Sequence, residues 1–518
     1  MGGARDDAGV LLADVAATST ALAATRSRLA KRALLVDLLR RTDPADVEVV
    51  ARYLGGELRQ RRTGLGWRSL ATLPSPAAEA SLTVAEVDAV FERMADLEGP
   101  GSSTARSAAA ATLFAAATAD EQQLLRGLVT GELRQGALDA LLLDAVAEAS
   151  GVPAPAVRRA AMLAGATEPV AVAALGAASP EAAAEALAGF GLVVGRPVRP
   201  MLASSAPDVP AALEQLGSGQ VVVDTKLDGI RIQVHRRGDD VHVYTRSLDD
   251  ITARVPEIVA ITRGFAATDL VLDGEALAVG ADGRPRPFQE TASRTATREA
   301  DAAVVLTPFF FDCLHVDGRD LLDAPLLERL EALDAVAGAY AVERLVTADP
   351  TAARARFDEV VGAGQEGVVV KAVDAPYEAG RRGAAWVKVK PRHTLDLVVL
   401  AVEWGSGRRR GFLSNIHLGA RSADGFVMLG KTFKGMTDEM LAWQTERFTE
   451  LAAGPTDGYV VQLHPEQVVE IAFDGLQRSS RYPGGVALRF ARVLRYRDDK
   501  TAAQADTIDT VRALSAGT

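Results

Sequence analysis

The chain has 518 residues, with 57 Lys and Arg against 68 Asp and Glu and a formal net charge of −11. At about 100–200 residues per domain, that length predicts roughly three or four separate cores rather than one. Hydrophobic residues at 48% and charged residues at 24% match ordinary globular proteins and exclude disordered, collagenous and low-complexity classes. Cysteine occurs once, which excludes an intramolecular disulfide and a cysteine-based zinc site and points to a reducing compartment. Asp6 and Asp7 stand where a signal peptide needs apolar residues, and no uncharged apolar run reaches about 18 residues, so a cytoplasmic protein without a membrane span is expected. The net acidity argues against a nucleic-acid binder unless one surface is locally basic.

From Ser27 to about Gly195 the leucines recur at three- and four-residue spacing, as in Leu29, Leu34, Leu35, Leu38 and Leu39 and again in Leu124, Leu125 and Leu128. Thr118 followed by Glu121 reads as a capping box opening the later helix. An all-α domain over residues 1–198 is expected. The period then changes to that of strands in Gln220–Asp224, Ile230–His235 and Val241–Thr245, separated by glycine-containing turns, which predicts an antiparallel meander. Further strands are expected at Leu270–Asp273, Val304–Asp312, Gly367–Lys371 and Trp386–Lys390, with helices at Ala324–Ala337 and Thr351–Gly362, making residues 199–391 an α+β domain. Pro197, Pro200 and Pro391 mark its limits. Residues 392–518 carry short strands at Leu395–Val402, Ile416–Ala420, Phe426–Leu429 and Gln467–Ile471 and one helical insert at Thr437–Leu451, a pattern that suits a small barrel.

The chemistry centres on Lys226-Leu227-Asp228-Gly229-Ile230-Arg231, at a predicted strand end before a tight turn. A lysine becomes a nucleophile when desolvation or neighbouring cations depress its pKa, and a glycine lets backbone approach a phosphate closely. Alone this segment is weak evidence. It is followed in order by Thr245-Arg246-Ser247, Asp273-Gly274-Glu275, Phe311-Asp312-Cys313-Leu314, Glu366-Gly367-Val368-Val369-Val370-Lys371 and Trp386-Val387-Lys388-Val389-Lys390. The last of these segments is Arg489-Phe490-Ala491-Arg492-Val493-Leu494-Arg495-Tyr496-Arg497-Asp498-Asp499-Lys500. This order and spacing resemble the covalent nucleotidyltransferases, and specifically the ATP-dependent DNA ligases. The segment Gly131-Glu132-Leu133-Arg134-Gln135-Gly136 is similar to part of that family's helical DNA-binding domain, so the resemblance covers nearly the whole chain.

The resemblance implies a helical DNA-binding domain, an adenylation domain and a C-terminal OB-fold, with ATP and Mg²⁺ as cofactors and nicked double-stranded DNA as partner for a monomeric enzyme. It implies Lys226 as the nucleophile that forms lysyl-AMP. Strand periodicity places Lys388 and Lys390 on one face with Val387 and Val389 toward the core, so both lysines can address a polyphosphate alongside Arg382. Glu275 and Glu366, acids near strand ends, suit Mg²⁺, which takes one or two carboxylates and keeps several waters. Glu275 is also placed to touch ribose. Asp224 stands where many family members have a glutamate that contacts adenine, and Phe311 suits base stacking. Arg231 and Arg246 can hold ribose or phosphate oxygens. Arg492, Arg497, Asp499 and Lys500 are expected to stabilise the departing pyrophosphate. Basic runs at Arg408–Arg410 and Lys431–Lys434 could contact DNA phosphates, whereas the six histidines show no metal-ligand spacing. The alternatives are an RNA ligase or other covalent nucleotidyltransferase, and a catalytically silent DNA-binding scaffold.

Overall fold

The computed structural model describes residues 10–60, 63–133, 135, 139–217, 219–280, 285–286, 288–296, 304–378 and 382–515. Helices running from Leu12–Ala24 to Pro180–Ala188 build the N-terminal region around one buried core that includes Val15, Leu35, Leu39, Phe91, Leu125 and Val146. The Thr118 capping box is present: the Thr118 side chain accepts from the Glu121 backbone N–H, and the Glu121 carboxylate accepts from the Thr118 N–H at 2.7 Å. Leu29 departs from its expected core role. It lies in the first turn of the helix Arg28–Arg41 and is 70% exposed, while Leu35, Leu38 and Leu39 carry that helix into the core.

Among its described residues the middle region contains ten strands: β1 Leu202–Ala206, β2 Val221–Lys226, β3 Ile230–Arg237, β4 Asp240–Thr245, β5 Asp269–Ala278, β6 Leu306–Val316, β7 Arg319–Asp320, β8 Arg344–Thr347, β9 Gly367–Ala372 and β10 Arg382–Val389. They form two five-stranded sheets, ordered β1-β10-β9-β2-β8 and β4-β3-β5-β6-β7. The expected meander is therefore broken after its first strand. β2 pairs with β8 and β9, whereas β3 pairs with β4 and β5, so the chain changes sheet across Leu227-Asp228-Gly229. Gly229 permits the crossing, because a Cβ there would run into the carbonyl oxygen of Ala276 on β5. The nucleophile candidate Lys226 is the last residue of β2 and so sits where the two sheets part.

The C-terminal region is β-rich, with β11 His393–Trp404, β12 Leu413–Ser422, β13 Gly425–Thr432, β14 Val460–Gln462, β15 Val468–Phe473, β16 Gly475–Arg478, β17 Val486–Arg489 and β18 Arg492–Tyr496. Six of these form one sheet along β13-β12-β11-β15-β18, with β14 also on β11, and β16 and β17 make a separate hairpin. The helical insert spans Asp438–Glu450 and opens on Thr437, whose side chain accepts from the Met440 N–H at 3.1 Å. A final helix, Ile508–Ser515, was not anticipated; its eight residues are too short for periodicity to stand out, and Val511 anchors it in the core. Bidentate Arg159–Asp323 and Arg199–Asp139 contacts join the helical region to the middle one.

Candidate active site

One face of the sheet β1-β10-β9-β2-β8 carries the site. Along β2, Lys226 lies opposite Gly367, Asp224 opposite Val369 and Val222 opposite Lys371, and across β9 Val369 meets Lys388 and Lys371 meets Trp386. Residues opposite one another point to the same side of a sheet. The other side holds Val221, Val223, Val368, Val370, Val387 and Val389, packed against the helices Val209–Leu216 and Pro350–Gly362. The expected division of β10 into core valines and outward lysines is what the strand shows. Gly367 has a positive φ of 133°, and a Cβ there would collide with the carbonyl of Val389, so glycine is required for β9 to start beside β10.

At the open end of this face, Lys226 and Lys390 each form an ion pair with Glu366, one ammonium on each carboxylate oxygen. Asp474, just after β15, approaches Lys390 at 3.3 Å and Arg492 at 3.2 Å. Burial works against the Lys390 charge, yet the Glu366 and Asp474 carboxylates outweigh it and hold its pKa above the usual lysine value. On the facing sheet, burial pushes the Glu275 carboxyl up to about 7, opposed by the positive charges of Lys226 and Arg231.

Deeper in the cleft, Asp224 and Lys371 form an ion pair at 2.5 Å, with both residues almost fully buried. Lys371 donates to the Phe311 carbonyl at 3.1 Å and its ammonium lies 5.0 Å from the Phe311 ring centroid and 4.3 Å from that of Trp386. Phe311 and Trp386 meet edge to face at 5.9 Å. Arg231 is committed to protein partners: it makes two hydrogen bonds to Asp273, at 3.0 and 2.6 Å, and one to the Met201 carbonyl at 2.6 Å. Tyr377 completes this knot, donating to Asp273 at 2.6 Å and accepting from the Met201 N–H at 3.0 Å.

The structure thus brings together Lys226, Glu366, Lys390, Lys388, Glu275, Asp224 and Phe311. Arg231 lies beside them, but as a structural tie. Arg246 is exposed in the turn after β4, and the side chain of Arg382 lies outside the described residues. The C-terminal motif is divided. Arg492 reaches the cluster through Asp474, whereas Arg497 and Lys500 pair with Asp396 on β11, at 3.2 and 2.5 Å, and Asp499 pairs with Arg497. These three residues are not beside Lys226 in this arrangement, because the domain presents the β16–β17 hairpin to the cleft instead. Its Arg489 contacts Asp228 at 2.5 and 3.3 Å. Asp228, Lys371, Trp386 and Arg489 lie inside the motifs read from the sequence, which assigns them no role of their own; Asp474 joins the site only through the folded arrangement of the C-terminal region.

The donor chemistry fits a hard divalent cation. Glu275 and Glu366 supply two carboxylates near Lys226, while among the described residues no group of three or more His, Cys, Asp or Glu is placed to hold a metal ion. Mg²⁺ is suited to such a partial ligand set, since it retains waters and is completed by substrate phosphates.

A strand-end lysine in a cleft between two five-stranded sheets, facing carboxylates and further lysines, defines a nucleotidyltransferase domain. Three family models match the chain: DNA ligase N terminus over residues 70–147, ATP dependent DNA ligase domain over 200–390 and ATP dependent DNA ligase C terminal region over 409–500. The chain is 75% identical to a protein of Beutenbergia cavernae named "Probable DNA ligase", covering 98% of this chain and 100% of that one. It is 65% identical to a Kineococcus radiotolerans protein of the same name, again over 98% and 100%. The solved structure "Pmar-Lig_PreS3" shares the fold with a TM-score of 0.63 at 19% identity, over 93% of this chain and 99% of that one. The chain belongs to the ATP-dependent DNA ligases.

Proposed function

We propose that the ligase reaction runs here through Lys226. The Lys226 amine, once deprotonated, attacks the α-phosphorus of ATP; the N–P bond forms, the bond to the β-phosphate oxygen breaks and pyrophosphate leaves. The 5′-phosphate at a nick then displaces lysine from the adenylyl group, and the neighbouring 3′-hydroxyl attacks the activated phosphate, closing the strand and releasing AMP.

The observation that carries this assignment is the placement of Lys226 against Glu366 and beside Lys390 on one sheet face. Lys388 and Lys390 are assigned to the phosphates, where fixed positive charge offsets the charge gathering in the transition state. Phe311 is assigned to stacking on adenine. Glu366 and Glu275 would hold Mg²⁺, which when bound supplies Lewis-acid stabilisation of phosphoryl oxygens. Glu366 also keeps the Lys226 ammonium in place until its proton is released.

Residues 1–198 are assigned as the helical DNA-binding domain, 199–391 as the adenylation domain and 392–518 as an OB-fold. Arg497, Asp499 and Lys500 reach the pyrophosphate only if the C-terminal domain turns about a hinge near Arg392–Asp396, exchanging the β16–β17 hairpin for the motif that now pairs with Asp396. The enzyme acts as a cytoplasmic monomer on nicked duplex DNA. No helix among the described residues is long and apolar enough to cross a membrane.

The test is incubation with α-³²P-labelled ATP and Mg²⁺, with Lys226→Ala alongside, then denaturing electrophoresis and a chase with nicked duplex. Label on the wild type alone, lost to nicked DNA with joining, is the expected result. Equal labelling of Lys226→Ala would overturn the assignment.

A further inference from the structure

The Asp224–Lys371 ion pair joins the two halves of the cleft. Asp224 lies on β2, two residues before Lys226, in one sheet. Lys371 lies on the adjacent β9, and its ammonium reaches across to the backbone carbonyl and ring of Phe311 on β6, in the other sheet. Asp224 is 2% exposed and Lys371 1%, so both charges are withdrawn from water and each is the other's counter-ion. Neither Asp224 oxygen receives a directed hydrogen bond among the described residues, and the Trp386 indole N–H beside the ammonium also lacks a partner. The contact is a buried ion pair beside the Phe311 and Trp386 rings, with Arg231 over the same rings at 5.4 and 5.9 Å and the Arg344 and Asp312 charges also acting on Asp224. A buried pair of this kind contributes little net stability over packed apolar residues, whereas loss of one member strands the other charge. Its effect here is to fix a distance: the strand that ends in Lys226 is held at a set position relative to the Phe311 ring.

We infer that Asp224 and Lys371 act as one positioning pair that sets the aromatic wall of the nucleotide site relative to Lys226, and that Asp224 does not itself select the base. This rests on the reading of Phe311 as the stacking side chain. It also replaces the adenine contact expected for Asp224 from the sequence, because the carboxylate is already engaged by Lys371 beneath the rings. The consequence is specific. Loosening the pair misplaces the base wall, which weakens ATP binding in the ground state, while ATP bound at saturation still meets an intact Lys226, Glu366 and Lys390.

The experiment measures enzyme adenylation at varied ATP and at varied GTP for the wild type, Asp224→Asn, Lys371→Met and the double variant, with thermal melting of each. The expected result is a rise of about tenfold or more in KM for ATP in each single variant, with the saturating rate within about threefold of wild type. The ATP to GTP preference stays unchanged, and the double variant rises far less than the product of the singles, since they remove one shared interaction. Trp386 supplies a readout independent of turnover: its emission shifts in Lys371→Met, and the shift disappears when Trp386→Phe is the background. The double variant leaves no stranded charge, so it remains informative if the singles melt at low temperature. A changed ATP to GTP preference in Asp224→Asn with Lys371→Met silent would make Asp224 a base reader and overturn the inference. Additive KM effects, or a fall in saturating rate at constant KM, would overturn it too. Failure of the wild type to take label from ATP would instead overturn the nucleotidyl-transfer reading on which the inference rests.

Discussion

Arg489 on the β16–β17 hairpin holds Asp228, the second residue after Lys226, by two hydrogen bonds across 261 positions of chain. The same guanidinium lies 4.9 Å from the Phe288 ring centroid. Together with Asp474 on Lys390, and the Gln289 side chain donating to the Arg478 carbonyl at 3.2 Å, this contact seats the C-terminal domain over the mouth of the cleft. The pair is partly buried and charge-assisted, the setting in which an ion pair has measurable weight.

Arg489→Ala and Asp228→Ala should each slow nick sealing, and the double variant should be little worse than the more severe single one. For residues in direct contact a coupling of about 1–2 kcal/mol is expected, equivalent to roughly 5–30-fold in rate. Multiple-turnover ligation of a nicked duplex measures it. Strictly additive losses would mean that the two residues act separately and that the contact does not seat the domain.

The strands and the motif face were legible in the sequence because they depend on local pattern. Valines alternating with lysines in Trp386-Val387-Lys388-Val389-Lys390 mark β10 as a strand with one core face, and the structure buries Val387 and Val389 while leaving Lys388 half-buried. Pairing between strands is a different matter. Nothing in Ile230–His235 indicates that β3 leaves the sheet of β2, because the cause is a backbone approach at Gly229 to a strand some 45 residues further on, Ala276 being the neighbour. The position of the C-terminal motif was equally illegible: Arg497 and Lys500 are read correctly as a charged segment, yet their partners depend on how a whole domain docks, which no local spacing encodes.

Glu366 divides its carboxylate between two ammonium groups, so Glu366→Gln takes the paired carboxylate from Lys226 and leaves Lys390 with Asp474 alone. Formation of the labelled lysyl adduct should fall by about 10²-fold or more, the scale on which loss of one well-placed charge acts in a transition state. Lys226 and Lys390 keep some access to water, with side chains 21% and 22% exposed, so the thermal midpoint should change little. A variant that labels at the wild-type rate would remove Glu366 from the adenylation machinery.

Arg329 and Asp312 form a fully buried bidentate pair at 2.8 and 3.0 Å, directly after Phe311 on β6. Arg329→Ala strands the Asp312 carboxylate and should cost about 3–5 kcal/mol. Arg329→Met with Asp312→Leu removes both charges and should recover most of that loss. Denaturant titration of the single and double variants checks it; equal destabilisation of both would show that lost packing, rather than a stranded charge, is responsible.

With Glu275 in its proposed role as a Mg²⁺ ligand, adenylation should depend on pH in a defined direction. Its carboxyl, pushed up to about 7 chiefly by burial, holds a proton below that value and is then unable to ligate a cation. Mg²⁺-dependent labelling should therefore rise with pH through about 7, and Glu275→Gln should be slower and lack that step. Stability runs the other way. In the unfolded chain an ordinary glutamate ionises near 4.3, so between about 4.3 and 7 the folded protein binds a proton that the unfolded one has released. Unfolding free energy contributed by this group thus falls as pH rises across that window, and its destabilising effect is complete above about 7. Melting curves of wild type and Glu275→Gln should diverge most at pH 8, with the variant the more stable, and converge toward pH 5. Parallel curves across that range would show that Glu275 titrates as an ordinary glutamate.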